Sequence, residues 1–253
     1  MAIFLFTDFG SSDIYAGQVR AALLRHAPRQ AVVDLLHDAA AFNVRAAAHL
    51  LAALFNRLPS GSVALAVVDP GVGGPRAPLA VQADGKWLVG PDNGLLSVAA
   101  SRARKCRPHA IGWRPKDLSR SFHGRDLFAP VAAMLARGAR KAARLRGTEF
   151  ALNFGMSDVS EVIYVDHYGN IITGLRAGSL APKRTLRAGG QEIPHARVFS
   201  EAPRAGLFWY ENSIGLVEIA ANSANAQRAL GIAVGDPVGP RTLGASITKD
   251  HHG

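Results

Sequence analysis

Short apolar runs alternate with stretches of helical periodicity over residues 3–68, and this alternation constrains the fold more than any other feature of the chain. The apolar runs predict buried strands, and apolar residues recurring every three or four positions predict amphipathic helices. Strands separated by helices form parallel sheets with the helices packed on them. The predicted strands are 3–6, 31–36 and 63–68, and the predicted helices are 13–26 and 44–58.

The α/β pattern continues to about residue 155. Two apolar runs, 79–83 and 87–89, flank the turn Asp84-Gly85 and predict a hairpin. Helical spacing returns over 94–103 and 127–135. We therefore expect residues 1–155 to form an α/β domain with a mainly parallel sheet, which carries the reaction centre.

Beyond residue 155 the chain consists of short apolar segments separated by turns, with little helix between them. Such segments predict antiparallel strands, so we expect residues 160–253 to form a smaller antiparallel all-β domain. The final residues, 248–253, are expected to be a frayed tail. The predicted strands are 162–165, 171–174, 185–188, 207–210, 216–220 and 236–238.

The composition supports a folded globular protein. The chain has 253 residues, of which 48% are hydrophobic, and this is ample for a packed core. No apolar stretch approaches the roughly 20 residues that span a bilayer, so we expect a cytoplasmic protein without a membrane partner. The single cysteine, Cys106, excludes an intramolecular disulfide, and we expect it to have no functional role.

A formal net charge of +10 raises the possibility of a nucleic-acid partner. The basic residues concentrate in 102–107 and 137–146. The second cluster is rich in alanine and contains no aromatic residues for base stacking, which predicts a helix with a solvated basic face. A solvated surface is therefore favoured over nucleic-acid binding.

Two aspartates follow predicted strands. Asp8 comes after the first strand and Asp69 after the third, and the carboxyl ends of neighbouring parallel strands meet in one crevice, where α/β sheets bind ligands. An ionised carboxylate can accept hydrogen bonds from both hydroxyls of a ribose. The alternative for Asp8 is that it caps the next helix or stabilises a turn. Spacing alone does not decide between these functions.

Three further features surround this crevice. A Pro/Gly-rich turn follows Asp69, and Arg76 can fold back over it; the glycines of 71–74 lack the Lys-Ser/Thr of a phosphate loop. His123 lies in a loop between an aromatic residue and a glycine, a setting that can present it to a pocket, although a purely structural histidine is the alternative. No histidine or cysteine spacing is typical of metal ligands, so no metal site is expected.

Several motifs occur along the chain in the order found in one family. Together they resemble the S-adenosylmethionine hydroxide adenosyltransferases, which are relatives of fluorinating and chlorinating enzymes that use the same substrate. The motifs are Thr7-Asp8-Phe9-Gly10, Asp34-Leu35-Leu36-His37, Val68-Asp69-Pro70-Gly71-Val72-Gly73, Gly90-Pro91-Asp92-Asn93-Gly94-Leu95-Leu96, Phe122-His123-Gly124-Arg125-Asp126, residues 166–170, Asn212-Ser213 and Glu218-Ile219-Ala220.

The resemblance implies hydrolysis of S-adenosyl-L-methionine to adenosine and L-methionine, by attack of water on the ribose C5′. It implies that Asp69, Arg76 and His123 position and activate the water; whether Asp69 or His123 accepts its proton stays open. The halogenating relatives carry tyrosine in place of Asp69 and His123 and a halide-binding serine in place of Gly124, so this chain resembles the hydrolytic members. The substrate is the only small molecule implied, and no cofactor is expected.

The resemblance also implies a homotrimer with ligand sites between subunits. By the same implication Asp8 binds the ribose and Asp166 the methionine amino group. The other implied substrate-binding residues are Phe42, Phe122, Gly124, Tyr168, Asn170, Phe199, Asn212, Ser213 and Ala221.

Three other functions remain open from the sequence. A halide-dependent adenosyl transferase would use the same pocket. A non-catalytic sensor of adenosine or S-adenosylmethionine would keep the binding residues without turnover. A nucleic-acid binder is suggested by the charge alone, and its affinity would fall steeply with salt.

Overall fold

A computed structural model describes residues 1–181 and 184–240. By its internal contacts the chain divides into two units. The first unit contains Met1–Val159 and Ser213–Leu216, and the second contains Ser160–Asn212 and the residues from Val217 onward. The tail predicted over 248–253 lies outside the described residues.

The first unit is built on a seven-stranded sheet in the order β2-β1-β3-β5-β4-β6-β7. The strands β2, β1, β3 and β5 are parallel to one another, whereas β4, β6 and β7 add antiparallel pairs at one side. The predicted α/β class is confirmed, with a parallel core as the expected alternation requires. The strands are β1 Ile3–Thr7, β2 Val32–Leu36, β3 Val63–Val67, β4 Pro78–Ala83, β5 Lys86–Pro91, β6 Cys106–Ile111 and β7 Leu145–Gly147.

Two helices of this unit, α1 and α2, begin where the sequence supplies a capping side chain. The side chain of Asp13 accepts from Ile14 N at the start of α1, and that of Asn43 accepts from Ala46 N at the start of α2. Helix α4 is buried at every residue and packs against α1. The helices are α1 Ile14–His26, α2 Val44–Arg57, α3 Ser97–Arg102 and α4 Ala129–Ala136, and a π-helical turn, Gly124–Phe128, precedes α4.

Two helix predictions are corrected. Residues 137–146 do not form a basic helix: Gly138 has a φ of +77° and follows the end of α4, a short 3-10 turn covers Arg140–Ala143, and β7 comes next. Helix α3 begins at Ser97 rather than at residue 94, because Gly94 has a φ of +93° that a right-handed helix does not allow.

The second unit contains two small sheets, in the orders β12-β13-β9-β8 and β11-β10-β14. The β8–β9, β12–β13, β10–β11 and β10–β14 pairs are antiparallel, as the sequence predicts. The elements are β8 Val162–Val165, β9 Ile171–Arg176, β10 Leu186–Ala188, β11 Gln191–Ile193, β12 Leu207–Glu211, β13 Leu216–Ala221, α5 Ala226–Leu230 and β14 Val238–Pro240.

No helix within the described ranges is long and apolar enough to cross a membrane.

Candidate active site

The ends of β1 and β3 place two carboxylates beside each other. These strands are parallel neighbours with Thr7 opposite Val67, so Asp8 and Asp69 both leave the sheet at its carboxyl edge. Both residues line one cavity of about 100 Å³. The sheet therefore brings together the two aspartates that the strand pattern predicted at a common crevice.

Arg76 folds back onto Asp69, as the sequence suggested. Its Nε donates to both carboxylate oxygens of Asp69 at 3.0 Å, and its Nη2 donates to Oδ2 as well. The two side chains are 11% and 4% exposed, so the ion pair is shielded from water. Such a fork of donors fixes the direction of a carboxylate as well as its charge.

The turn that returns Arg76 to Asp69 depends on glycine. Gly73 has a φ of +80°, and a Cβ at this position would collide with the carbonyl oxygen of Arg120. A hydrogen bond from Gly74 N to Gly71 O, 3.0 Å long, closes the turn. The glycines thus serve a tight turn, as expected once a phosphate loop is excluded.

His123 contacts the other side of the same guanidinium. Arg76 Nη2 lies 3.0 Å from His123 Nδ1, and because an arginine has no acceptor, Nδ1 must accept this hydrogen bond. The contact assigns the ring proton to Nε2 in the neutral form. Burial, and next the charge of Arg76, lower the pKa of His123 below its ordinary value, while Asp69 acts in the opposite direction.

The loop that carries His123 is tightly packed. The π-helical turn begins directly after it, at Gly124, a geometry frequent at functional sites. A Cβ on Gly124 would lie 3.0 Å from Phe9 Cζ and 3.3 Å from the Phe122 ring. A serine at this position would require the aromatic side chains to move.

Aromatic rings border the cavity. Phe9 and Phe122 line it and meet edge to face at 5.7 Å between centroids, and Tyr15 packs against both rings. Phe42 also lines the cavity and is 80% exposed, with a left-handed φ of 64°. Phe42 and Phe122, for which the resemblance implies a role as apolar walls, both border the cavity.

Asp8 is not the cap of α1, because Asp13 caps that helix. Burial, and to a smaller extent the neighbouring charge of Asp69, raise the pKa of Asp8 above its ordinary value. The first of the two alternatives for Asp8, a helix cap, is thus removed.

In the second unit, Asp166 and Asn170 close the turn between β8 and β9. Asp166 Oδ1 accepts from the backbone N–H of Tyr168 and of Asn170, at 2.9 and 2.8 Å, and Oδ2 accepts from Asn170 Nδ2 at 2.9 Å. Tyr168 is 75% exposed at the tip. These bonds match the turn interpretation of the segment, and free lone pairs remain on the carboxylate.

Of the remaining predicted residues, Asn212 contacts a buried acid of the second unit, Glu218. Tyr210 OH donates to Glu218 Oε1 at 2.5 Å and Asn212 Nδ2 donates to Oε2 at 3.0 Å. Phe199, 38% exposed, packs edge to face on Tyr210 at 5.5 Å. Ala221 ends β13, where its carbonyl accepts from Ala224 N. Ser213 is grouped with the first unit.

Three residues that contact predicted site residues or their backbone were not themselves predicted from the sequence. Asn93 Nδ2 donates to Val68 O at 2.9 Å and so supports the backbone next to Asp69; its motif was recognised, but no chemistry pointed to this contact. Tyr210 and Glu218 form a hydrogen-bonded pair across β12 and β13, and their places opposite each other on two adjacent strands were the available signal.

Comparison with known proteins identifies the family of this chain. The family model of the SAM hydroxide adenosyltransferase N-terminal domain matches residues 3–145, and that of the C-terminal domain matches residues 160–239. The chain is 40% identical to the (R)-S-adenosyl-L-methionine hydrolase of Thermus thermophilus, over 93% of this chain and 98% of the relative. It is 38% identical to the enzyme of the same name from Salinispora arenicola, over 91% of this chain and 94% of the relative.

Solved structures show the same fold. An uncharacterised conserved protein from Thermotoga maritima superposes with a TM-score of 0.84 at 31% identity, covering 93% of this chain and 98% of that one. A conserved hypothetical protein from Thermus thermophilus gives a TM-score of 0.75 at 35% identity, with coverages of 95% and 99%. The resemblance deduced from the motifs is confirmed, and the chain belongs to the S-adenosylmethionine hydroxide adenosyltransferase family.

Proposed function

We propose that the protein hydrolyses S-adenosyl-L-methionine to adenosine and L-methionine. The observation that carries this proposal is the simultaneous contact of Arg76 with Asp69 and His123, beside a cavity that Asp8 also lines. The hydrolase names of the relatives from Thermus thermophilus and Salinispora arenicola support the same substrate.

The substrate sets what the site must supply. Methionine leaves the sulfonium as a neutral thioether, so its departure needs no general acid. A water oxygen forms a bond to the ribose C5′ while the C5′–S bond breaks, and the electron pair of that bond goes to sulfur. The protein therefore has to hold one water in line with the C–S bond and accept its proton.

The contacts of Arg76 indicate which residue orients the water and which accepts its proton. His123 accepts from Arg76 through Nδ1, so its Nε2–H donates to the oxygen of the attacking water and orients it. Asp69, aimed by the fork of Arg76, accepts the water's proton. We thus assign the role of proton acceptor, which the sequence left open, to Asp69.

The proposed reaction uses neither a metal nor an organic cofactor, because the sulfonium already supplies a neutral leaving group. Since free water is a very weak acid, removal of its proton is concerted with attack on C5′, and we expect slow turnover. We expect activity to persist in EDTA. Among residues 1–181 and 184–240, no three histidine, cysteine or acidic side chains are grouped to hold one metal ion.

Substrate binding is assigned as the resemblance implies. Asp8 accepts hydrogen bonds from the ribose hydroxyls, and Phe42, Phe122 and Gly124 form the walls around the reacting carbon. The residues assigned to the methionine and adenine parts are Asp166, Tyr168, Asn170, Phe199, Asn212, Ser213 and Ala221.

The proposed assembly is a cytoplasmic homotrimer with ligand sites between subunits. Light scattering on the purified protein tests the trimer directly. A monomer in solution would contradict the assembly without affecting the assignment of Asp69.

One assay tests the reaction. The purified protein is incubated with S-adenosyl-L-methionine and chloride, with and without EDTA, and the nucleosides are separated chromatographically for wild type and His123→Ala. Adenosine and methionine formed by the wild type support hydrolysis. A 5′-chloro-5′-deoxyadenosine product would indicate halide transfer instead, and bound but unchanged substrate would indicate a sensor.

A further inference from the structure

One motif takes no part in the proposed reaction, the segment from Asp34 to His37 at the end of β2. Its histidine is connected by hydrogen bonds to both sides of Asp8. We propose that His37 is a positioning residue that fixes Asp8 for ribose binding, acting through the hydroxyl of Thr7. The inference rests on the proposed function, because it takes Asp8 to be the ribose ligand.

The connection between His37 and Thr7 is short and buried. His37 Nδ1 lies 2.7 Å from Thr7 Oγ1, and the two residues are 5% and 1% exposed. On the other side of the ring, Nε2 lies 3.0 Å from Asp34 Oδ1. Because a carboxylate only accepts, Nε2 carries the proton, and in the neutral ring Nδ1 accepts from the Thr7 hydroxyl.

The hydroxyl of Thr7 also forms a hydrogen bond to the backbone on the other side of Asp8. Its Oγ1 accepts from the backbone N–H of Phe9 at 3.3 Å, so the hydroxyl bridges the residue before Asp8 and the residue after it. The backbone adds a second tie, because Gly10 N donates to His37 O at 2.7 Å. Asp8 therefore lies inside a turn that His37 holds at both ends.

His37 also fixes the segment that follows it and leads to the cavity. Ala39 N donates to Thr7 O at 3.1 Å, so the chain leaving His37 stays against the end of β1. This chain leads to Phe42, which lines the same cavity as Asp8. A shift of His37 would thus disturb the turn that carries Asp8 and this wall of the cavity together.

The outer end of this chain of contacts lies at the surface. Arg20 donates to Asp34 through Nε at 3.0 Å and through Nη2 at 2.5 Å, but the two side chains are 47% and 40% exposed. Exposed ion pairs contribute little, so the positioning effect is assigned to the buried bond between His37 and Thr7.

Thr7→Val removes this bond while keeping the shape of the side chain. The chain offers a matched control in Thr173, which is likewise fully buried and whose Oγ1 donates to Val217 O and accepts from Leu175 N at 3.3 Å. Thr173→Val removes the same pair of hydrogen bonds in the second unit. A loss of stability alone would therefore affect both variants.

The substitutions of His37 separate its two bonds. The amide of His37→Asn reaches about as far as Nδ1 and can keep the bond to Thr7. The amide of His37→Gln reaches about as far as Nε2 and can keep only the bond to Asp34. We expect His37→Gln to behave like Thr7→Val, and His37→Asn to stay close to wild type.

The readout is the preference for a ribose over a deoxyribose. Inhibition constants for adenosine and 2′-deoxyadenosine are measured on full-length protein, together with kcat and KM for S-adenosyl-L-methionine. We expect the wild type and Thr173→Val to prefer adenosine by about tenfold or more, the value of a hydrogen bond to a charged acceptor. In Thr7→Val and His37→Gln the preference should fall below about threefold, with a raised KM and a kcat changed by less than about threefold.

Retention of the adenosine preference in Thr7→Val and His37→Gln would overturn the positioning role while leaving hydrolysis intact. Equal loss of the preference in Thr173→Val would overturn it as well, because the effect would then be general. A wild type that neither turns over S-adenosyl-L-methionine nor binds adenosine would overturn the proposed function, and this role with it.

Discussion

Arg76 Nη2 lies 3.0 Å from His123 Nδ1, and the same guanidinium holds the Asp69 carboxylate. A cation thus stands between an anion and a neutral imidazole. The arrangement keeps Asp69 oriented and fixes which nitrogen of His123 carries the proton. Both effects depend on the planar fork of arginine.

Arg76→Lys is expected to lower kcat by about a hundredfold, because a lysine keeps the charge but cannot direct donors to Asp69 and His123 together. Steady-state kinetics with saturating substrate measure this loss. Arg102→Lys is the control, since Arg102 pairs with Asp158 at 3.0 Å away from the cavity, and its kcat should stay unchanged. An Arg76→Lys variant with wild-type kcat would remove the fork from the mechanism.

The two amide variants of His123 test its role as a hydrogen-bond donor. Gln places an N–H near the position of Nε2 and should retain kcat within about tenfold, whereas His123→Asn and His123→Ala should lose about a hundredfold or more. The same kinetic assay compares all three. Equal losses in the glutamine and alanine variants would instead identify His123 as the proton acceptor.

The pH dependence follows from the neutral form of His123. Its pKa is lowered from the ordinary value of 6.5 by burial and by Arg76, so the ring stays neutral below that pH. We expect kcat to be constant from alkaline pH down through 6.5 and to fall only as the pH passes below the lowered pKa. An acid limb centred at or above 6.5 in the wild type would contradict this assignment.

Asp8→Asn should raise the stability of the fold at neutral pH while it abolishes adenosine binding. The pKa of Asp8 is raised in the folded protein, so at neutral pH its ionised form destabilises folding; this cost is absent at a pH where both states are protonated. The variant should gain about 2 °C or more in Tm at pH 7, lose that gain near pH 3, and lose adenosine binding. Thermal unfolding at both pH values checks the sign, and an unchanged or lower Tm at pH 7 would contradict it.

Gly124→Ser tests the crowding of the reaction centre. The added Cβ would lie 3.0 Å from Phe9 Cζ, so the aromatic wall has to shift and kcat/KM should fall about tenfold or more, without a halide product. Gly147→Ser is the matched control, because nothing lies within 4 Å of the corresponding Cβ. Equal activity in both variants would show that the wall is not tight.

Much of the fold was predictable because hydrophobic periodicity is local. β1, β3 and α1 lie within a residue or two of their predicted bounds. β6, Cys106–Ile111, was missed because it contains charged and polar residues and a proline, and its strand character comes from pairing with β4. The basic segment after α4 was wrongly predicted as a helix, because alanine and arginine content outweighed the helix-ending signal of Gly138.

The candidate site was predictable where it follows strand ends or a tight turn. Asp8, Asp69 and Arg76 are of this kind, since the parallel sheet and seven residues of chain determine their approach. The proton position on His123 was not predictable, because it depends on a contact with Arg76, 47 positions away in the sequence. The contact of His37 with Thr7 was not predictable either, because these residues are 30 positions apart. Such contacts depend on how whole strands and loops pack.

The shared guanidinium has an evolutionary consequence. Replacement of Asp69 alone leaves the largely buried side chain of Arg76 with an uncompensated charge, and replacement of Arg76 alone leaves a buried carboxylate without its donors. Replacement of His123 alone leaves a donor of Arg76 without its acceptor. Each of these single replacements is disfavoured. A descendant that changes the attacking nucleophile therefore has to change the three positions together, and single substitutions do not lead gradually away from hydrolysis.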